Sequence, residues 1–343
     1  MKASRLPSGS YRIYLYIGKD PITGKCIRKS ITHKDKRTCQ KLAAEYLDQH
    51  GGLKNSTSIL SSMMEYVAVK ERSLSPSTIK SYYGIVRGFE NGFPDFCSLD
   101  ISEVSSKDVQ KIVDVLRQEK KATPKTIRNK MGFISAVCRY KNVKMPEVVG
   151  PQKERTVYHI PESRHVKKML KYSAEEDSEL WICIMLAATG PLREGEISAL
   201  TMEDIDFKKN LIHVCHSKAI NKNNEWVKKV PKTYGSDRFL TMPSELIAKI
   251  KEQGYVTNWT PRQIYEHFKK LLKTHRIPDC RFHDLRHYCV SELKAQGFPD
   301  VYIAARTGHT NLSTLHNIYT HALQGHQKKI DKDIIKFFKK NLP

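Results

Sequence analysis

FHDLRHYCV, Phe282–Val290, reads as the front of a helix, with Asp284 near its start, where the helix dipole favours an acid. His283 and His287 stand at i,i+4, a spacing that can chelate zinc from one helix face. Such a site needs a third ligand, and a zinc peptidase needs a Glu directly after the first His; Asp284 follows instead. The other pairing in the stretch is His283 with Arg286: an imidazole that can move a proton, and a forked cation that can hold an anion.

Four more residues of the same half of the chain belong with this pair. Arg193 lies in TGPLREGEISAL, between an apolar helix and the next helix start. Lys232 lies in VPKTYGSDRFL, at a turn between strands, and His309 lies in TGHTNL, ten residues before Tyr319. Each alone has an ordinary structural use. Arg193 can pair with Glu194 or Glu196 in a helix corner, Lys232 can be one more surface lysine, and a tyrosine is usually a half-buried packing residue. Together they are parts for phosphoryl transfer without a metal. Arg193 and Arg286 can neutralise the non-bridging oxygens of a phosphodiester under attack. His283 and His309 can donate hydrogen bonds or shuttle a proton. The Tyr319 hydroxyl, with an ordinary pKa of ~10, needs nearby cations to become a nucleophile at neutral pH. A lysine among cations has a lowered pKa and can protonate a departing sugar oxygen.

The whole chain agrees with an anionic substrate. Its 343 residues suffice for two or three domains. Lys and Arg number 59 against 36 Asp and Glu, a net charge of +23 that is too large and dispersed for one tail. Nucleic acid is the first partner this suggests and an anionic membrane surface the second. The longest apolar run, Leu180–Ala188, is far too short to span a bilayer. The eight cysteines form no CxxC pair and the N-terminus lacks the apolar core of a signal peptide, so reduced thiols and a cytoplasmic location are expected.

Residues 1–50 carry eleven Lys and Arg against four Asp and Glu. YRIYLYI, Tyr11–Ile17, alternates at the strand period, with Tyr11, Ile13, Leu15 and Ile17 on one face and Arg12, Tyr14 and Tyr16 on the other. Cys26–Ile31 reads as a second strand bearing Arg28, Ser4–Leu6 as a short third, and residues 36–50 as a helix behind them. A sheet face with Arg and Tyr can enter a DNA groove, which makes Arg12, Tyr14, Tyr16 and Arg28 candidate contacts. Residues 50–58 read as a linker, and residues 59–145 as all-helical. The last of those helices holds Lys125, Arg128 and Lys130 near its N-terminal end, suited to phosphate. From about Glu162 the pattern is mostly helical, broken by strands at 211–217 and 238–243 around a basic hairpin or loop.

The boxes REGEISAL, PKTYGSDR, HDLRH, TGHTN and YTH, in this order, resemble those of the tyrosine recombinases, in particular the phage and conjugative-transposon integrases. The resemblance runs from about Arg155 to His321. It implies a multidomain, mainly α fold: a small β-sheet plus helix that binds arm-type sites (1–52), an all-helical, SAM-like core-site-binding domain (53–150), and a mostly helical catalytic domain with a small β-sheet and a C-terminal tail helix (151–343). It implies Tyr319 as nucleophile, forming a 3′-phosphotyrosyl bond, with Arg193, Lys232, His283, Arg286 and His309 as its catalytic partners. Lys232 is preferred to Lys218, Lys222, Lys228 and Lys229 of the same basic loop because of its KT…S.R context. No cofactor, no metal and no ATP are implied. The expected partners are double-stranded DNA at core-type and arm-type sites, three further copies in a homotetramer, and an accessory protein for excision; no membrane is expected. One departure is visible: Pro191 stretches the usual Thr-Gly-x-Arg to TGPLR. A chromosome-dimer resolvase, a relaxing topoisomerase and a DNA-binding regulator that has lost activity share parts of this pattern. The basic first fifty residues, the wording of the boxes and the intact set of candidate groups argue against each in turn. The tail, Lys328–Lys340, is amphipathic and can pack on its own domain or on a neighbouring copy.

Overall fold

The computed structural model describes residues 3–19, 26–49, 58–154, 159–230, 235 and 237–308, with backbone alone at 16–19, 26–28 and 47–49. Lys232, His309, Tyr319, the tail helix and the side chains of Tyr16 and Arg28 therefore lie outside the described residues. The chain divides into two compact units, one of Met1–Leu74 with Ser81–Glu154, the other of Ser75–Lys80 with Arg155–Pro343.

In the first unit, β1 (Ser4–Arg5), β2 (Tyr11–Lys19) and β3 (Cys26–His33) form an antiparallel sheet in that order, followed by α1 (Lys36–Gln49). At Ile13, Tyr14 and Leu15 the alternation sorts the side chains as expected. Ile13 and Leu15 are buried against Cys39 and Ala43 of α1, while Tyr14 is exposed. Helices α2 (Ile59–Lys70), α3 (Pro76–Gly92), α4 (Pro94–Ser98), α5 (Ser106–Gln118) and α6 (Pro124–Tyr140) follow. The short α4 is absent from the sequence reading. Local chemistry sets the starts of the longer ones. Ser105 and Asp108 close a reciprocal capping box on α5, and Thr123 caps α6 ahead of Pro124.

The second unit is built around α8. Its helices are α7 (Ser163–Glu176), α8 (Ser178–Thr189), α9 (Glu194–Ile197), α10 (Ser244–Gln253), α11 (Pro261–Thr274), α12 (His283–Ala295) and α13 (Asp300–Thr307). The apolar run LWICIMLAA makes α8 hydrophobic on nearly every face, so it is buried among its neighbours; Ile182, Cys183, Ile184, Leu186 and Ala187 are fully covered. Phe268 of α11 meets Phe282 edge to face at 5.3 Å in the same core. Among the described residues no helix is long and apolar enough to cross a membrane.

Strands β4 (Ile205–Asp206), β5 (Leu211–Val214) and β8 (Arg238–Thr241) form one antiparallel sheet, while β6 (Ser217–Ile220) and β7 (Trp226–Lys229) form a separate hairpin. The strand expected over 211–217 is therefore two. Val214 pairs with Arg238, the first residue of β8, and among the described residues β5 has no pair beyond it. The chain leaves the sheet at Cys215 and His216 and re-pairs as β6. The strand expected at 238–243 stops at Thr241, because Pro243 has no N–H for a ladder and instead precedes α10.

All three tryptophans, Trp181, Trp226 and Trp259, lie in the second unit. Phe268→Ala should lower the stability of that unit by about 3–5 kcal/mol. The shift should appear in urea unfolding followed by tryptophan fluorescence.

Candidate active site

Arg193 sits where α8 ends and α9 begins. Gly190 closes α8, its N–H donating to the Leu186 carbonyl, and Leu192 donates to the same oxygen at 3.3 Å. Pro191 and Leu192 carry the chain across to Arg193, the N-cap of α9, whose backbone N–H donates to Glu196 Oε2 at 3.0 Å. Its guanidinium Nη1 donates to Glu196 Oε1 at 2.6 Å. Of the two acids the sequence offers, Glu196 is the partner. Gly195 allows the corner to form, since a methyl group there would stand 2.7 Å from the Lys218 carbonyl oxygen and from Ser217 Oγ of β6.

Glu196 is shared. Arg238, at the start of β8, donates from Nη2 to Glu196 Oε2 at 2.9 Å and from Nε to the Arg306 carbonyl at 2.9 Å. The Arg238 and Glu196 side chains are 5% and 4% exposed, whereas that of Arg193 is 37% exposed. Burial works against the Glu196 carboxylate, but the charge and hydrogen bonds of Arg238, with Arg193 behind them, hold its pKa down at about 2. Glu194 has no such help: burial and then the nearby Asp284 carry its pKa up to about 7, with Arg281 opposing.

Arg286 is almost fully buried and near enough to Arg193 to feel its charge. Its Nη1 donates to the Pro191 carbonyl and its Nη2 to the Thr307 carbonyl at 2.6 Å. One side chain thus joins the loop before Arg193 to the residue before Gly308–His309. The extra residue Pro191 is not idle, since its carbonyl is half of that anchorage. Burial, then the positive charge of Arg193, brings the Arg286 pKa to about 9, so it remains a cation at neutral pH. His283 opens α12 three residues earlier, beside the His287 ring at 5.0 Å. Burial, His287, Arg286 and Arg193 press the His283 pKa to about 4, so its imidazole is neutral at pH 7. The helix front is fixed as the sequence suggested: Asp284, buried, accepts from the Arg281 N–H at 2.8 Å and pairs with its guanidinium at 2.7 Å.

Two glycines bring the remaining boxes together. Gly308 ends α13 with φ +71°, and a methyl group on it would lie 2.6 Å from the Gly235 carbonyl oxygen and 3.3 Å from Arg238 Nη1. The chain entering His309 therefore touches the chain three residues beyond Lys232. Arg238 and Arg306 serve the site as buttresses; Arg306 donates to the carbonyls of Thr189 at 2.9 Å and Thr241 at 3.1 Å. Arg238 had a sequence signal in the S.R end of its box. Arg306 had none, because its partners are backbone oxygens.

The first-unit candidates are spread over other surfaces. Arg12 donates to Thr32 Oγ1 at 3.1 Å and to the Tyr14 hydroxyl at 3.3 Å. Lys125 is exposed, Arg128 donates to the Gln152 carbonyl at 2.7 Å, and Lys130 folds over the Phe89 ring at 5.5 Å.

Residues 162–326 match the phage integrase family. The chain is 26% identical to a XerC-like tyrosine recombinase of Caldanaerobacter subterraneus subsp. tengcongensis over 91% of its own length and 92% of the relative's. It is 24% identical to the ICEBs1 integrase of Bacillus subtilis, over 96% of this chain and 98% of that protein. Among solved structures, the fold matches the Tn1549 transposon integrase in complex with transposon right-end DNA, with TM-score 0.64 and 17% identity, over 80% of this chain and 99% of that one. The fold is thus that of the tyrosine recombinases, mostly helical with small sheets.

Glu196 sets a pH signature. Its folded pKa, about 2, lies below its ordinary 4.5, so its contribution is complete above pH 4.5 and is lost as pH falls from there toward 2. The contribution is on the order of 3 kcal/mol. Glu196→Gln should be destabilised at pH 7, and urea unfolding of mutant and wild type should converge as pH falls through that window.

Proposed function

We propose that this chain, whose residues 162–326 form a tyrosine recombinase domain of the phage integrase family, is a site-specific DNA recombinase that integrates and excises a mobile element. The observation that carries the reading is one junction of cations. Arg193 stands half-exposed on the buried Glu196–Arg238 pair, buried Arg286 and a neutral His283 are near enough to feel its charge, and the backbone of the Lys232 and His309 boxes meets at Gly235 and Gly308. Such a junction suits a phosphodiester whose non-bridging oxygens gain charge.

In the proposed reaction the Tyr319 oxygen attacks the scissile phosphorus as the bond to the 5′ oxygen breaks. A 3′-phosphotyrosyl ester and a free 5′-hydroxyl result. Arg193 and Arg286 balance the charge on the phosphoryl oxygens. The Tyr319 proton passes to a neighbouring base, for which neutral His283 is suited, and Lys232 gives a proton to the departing 5′ oxygen. His309 donates a hydrogen bond to the phosphate. A 5′-hydroxyl of the partner strand then reverses the steps, so the ester energy is conserved and no nucleotide is consumed. Exchange between two duplexes cuts four strands. With one nucleophile per chain, four copies must assemble, and the amphipathic tail is the segment suited to joining them. An accessory protein for excision is a further proposed partner, and the cytoplasm the proposed location.

The proposed division of labour assigns 1–52 to arm-type sites, 53–150 to core-type sites and 151–343 to chemistry. Arg12, Tyr14, Tyr16 and Arg28 would face the arm DNA, and Lys125, Arg128 and Lys130 the core duplex. Lys130 would have to leave the Phe89 ring to reach a phosphate.

Tyr319→Phe should bind a core-site duplex as wild type does and form no SDS-stable protein–DNA adduct; an adduct from that variant would transfer the nucleophile to another residue. Lys232→Ala should slow cleavage of the same duplex by about 10²–10⁴-fold. A 5′-thiol leaving group, which needs no proton, should restore much of that loss.

A further inference from the structure

Among the described residues outside the proposed reacting groups, one trio of unlike donors stands at the junction of β5 and β6. Cys215 Sγ lies 3.5 Å from Asp204 Oδ1 and 3.1 Å from His216 Nδ1, and the three donor atoms all lie within 4.8 Å of one another. In a tetrahedral zinc site, with Zn–S of about 2.3 Å and Zn–N of about 2.0–2.1 Å, adjacent ligand atoms are roughly 3.3–3.6 Å apart. The two edges that meet at Cys215 Sγ are close to that spacing, and the third, from Asp204 to His216, is no longer than 4.8 Å. We propose that Asp204, Cys215 and His216 form a site for a zinc-class divalent cation, with a solvent molecule as fourth ligand.

The topology explains how these residues meet. Ile205 pairs with Ile212 and Asp206 with Leu211, so continuing the antiparallel register sets Asp204 beside the outgoing end of β5. Cys215 and His216 follow Val214, where the chain has left the sheet. In a strand, neighbouring side chains point to opposite faces; off the strand these two converge. The carboxylate is aimed in advance. Asp204 Oδ2 accepts from the Thr201 N–H at 2.8 Å and the Thr201 hydroxyl at 2.9 Å, which leaves Oδ1 toward the thiol. The donor set is a thiolate, an imidazole and a carboxylate, a mixture that suits zinc better than magnesium or calcium. Asp204 also lines an open surface depression with Glu203, Asp206 and His213, so the Asp204 corner of the trio borders solvent. The Cys215 thiol donates its proton to Asp204 Oδ1, so that proton lies between two of the ligand atoms. On binding, the metal replaces that proton, which passes to solvent.

The site would act on structure. It pins the 3₁₀ turn at Met202–Asp204 to the root of the β6–β7 hairpin, and β6 is the strand against which Gly195 packs, two residues from Arg193. Its occupancy can be read without DNA. The metal-stripped full chain, titrated with Co(II), should bind one equivalent with a near-ultraviolet thiolate-to-cobalt absorption that Zn(II) then displaces. Cys215→Ser should abolish that band, and Asp204→Asn or His216→Ala should weaken affinity about tenfold or more. In the wild type, where the other described cysteines are all buried, Zn(II) should slow alkylation of the Cys215 peptide at least tenfold, as followed by mass spectrometry. Absence of stoichiometric binding, a band that survives Cys215→Ser, or unchanged alkylation with Zn(II) would each mean a trio held by hydrogen bonds alone and would overturn the site.

Discussion

A carboxylate with almost no access to water holds the candidate active site together. Glu196 accepts from Arg238, which is as buried as itself, and from Arg193, which reaches toward solvent. Removing a charged pair from water is costly, and the cost is offset here by short, multiple hydrogen bonds. The arrangement fixes three things at once. It sets the orientation of Arg193, the approach of β8 to the α8–α9 corner, and, through the Arg238 contact to the Arg306 carbonyl, the position of α13. Because one acid serves two arginines, the corner keeps an excess of positive charge where an anionic substrate would enter.

Arg286 repeats the strategy with backbone acceptors. Its bonds to the Pro191 and Thr307 carbonyls set peptide dipoles against its charge and hold the guanidinium in place. The consequence is electrostatic. His283, three residues before it on the same helix, is kept neutral by burial and by the cations around it. A neutral imidazole keeps a ring nitrogen free to take a hydrogen bond from a phenol, which a charged one cannot.

Much of this was legible in the sequence because it rests on local periodicity or on chemically distinctive residues. The alternation in Tyr11–Ile17 foretold which of its described side chains would pack on α1. The apolar run Leu180–Ala188 foretold a buried helix, and the acid at Asp284 foretold a helix start. Arg193, His283 and Arg286 stood out because their types suit phosphate chemistry. Where the reading failed, the cause was a tertiary limit on a local pattern. The sequence 211–217 has strand composition throughout, but among the described residues the partner strand begins at Arg238 and pairs no farther than Val214. Nothing in residues 211–217 themselves carries that limit.

The sequence by itself determined the kinds of groups available, their order along the chain and the helices and strands that carry most of them, because these follow from side-chain chemistry and from repeats of two or about 3.6 residues. Only the tertiary structure decided which acid serves Arg193, what Pro191 is for, that Arg306 is a buttress, and that Asp204 meets Cys215 and His216. Each of those depends on contacts between residues far apart in the chain, or on backbone oxygens that every residue type supplies alike. The folding of α8, α12, α13 and β8 onto one another turns a set of suitable residues into a site with a defined charge and shape.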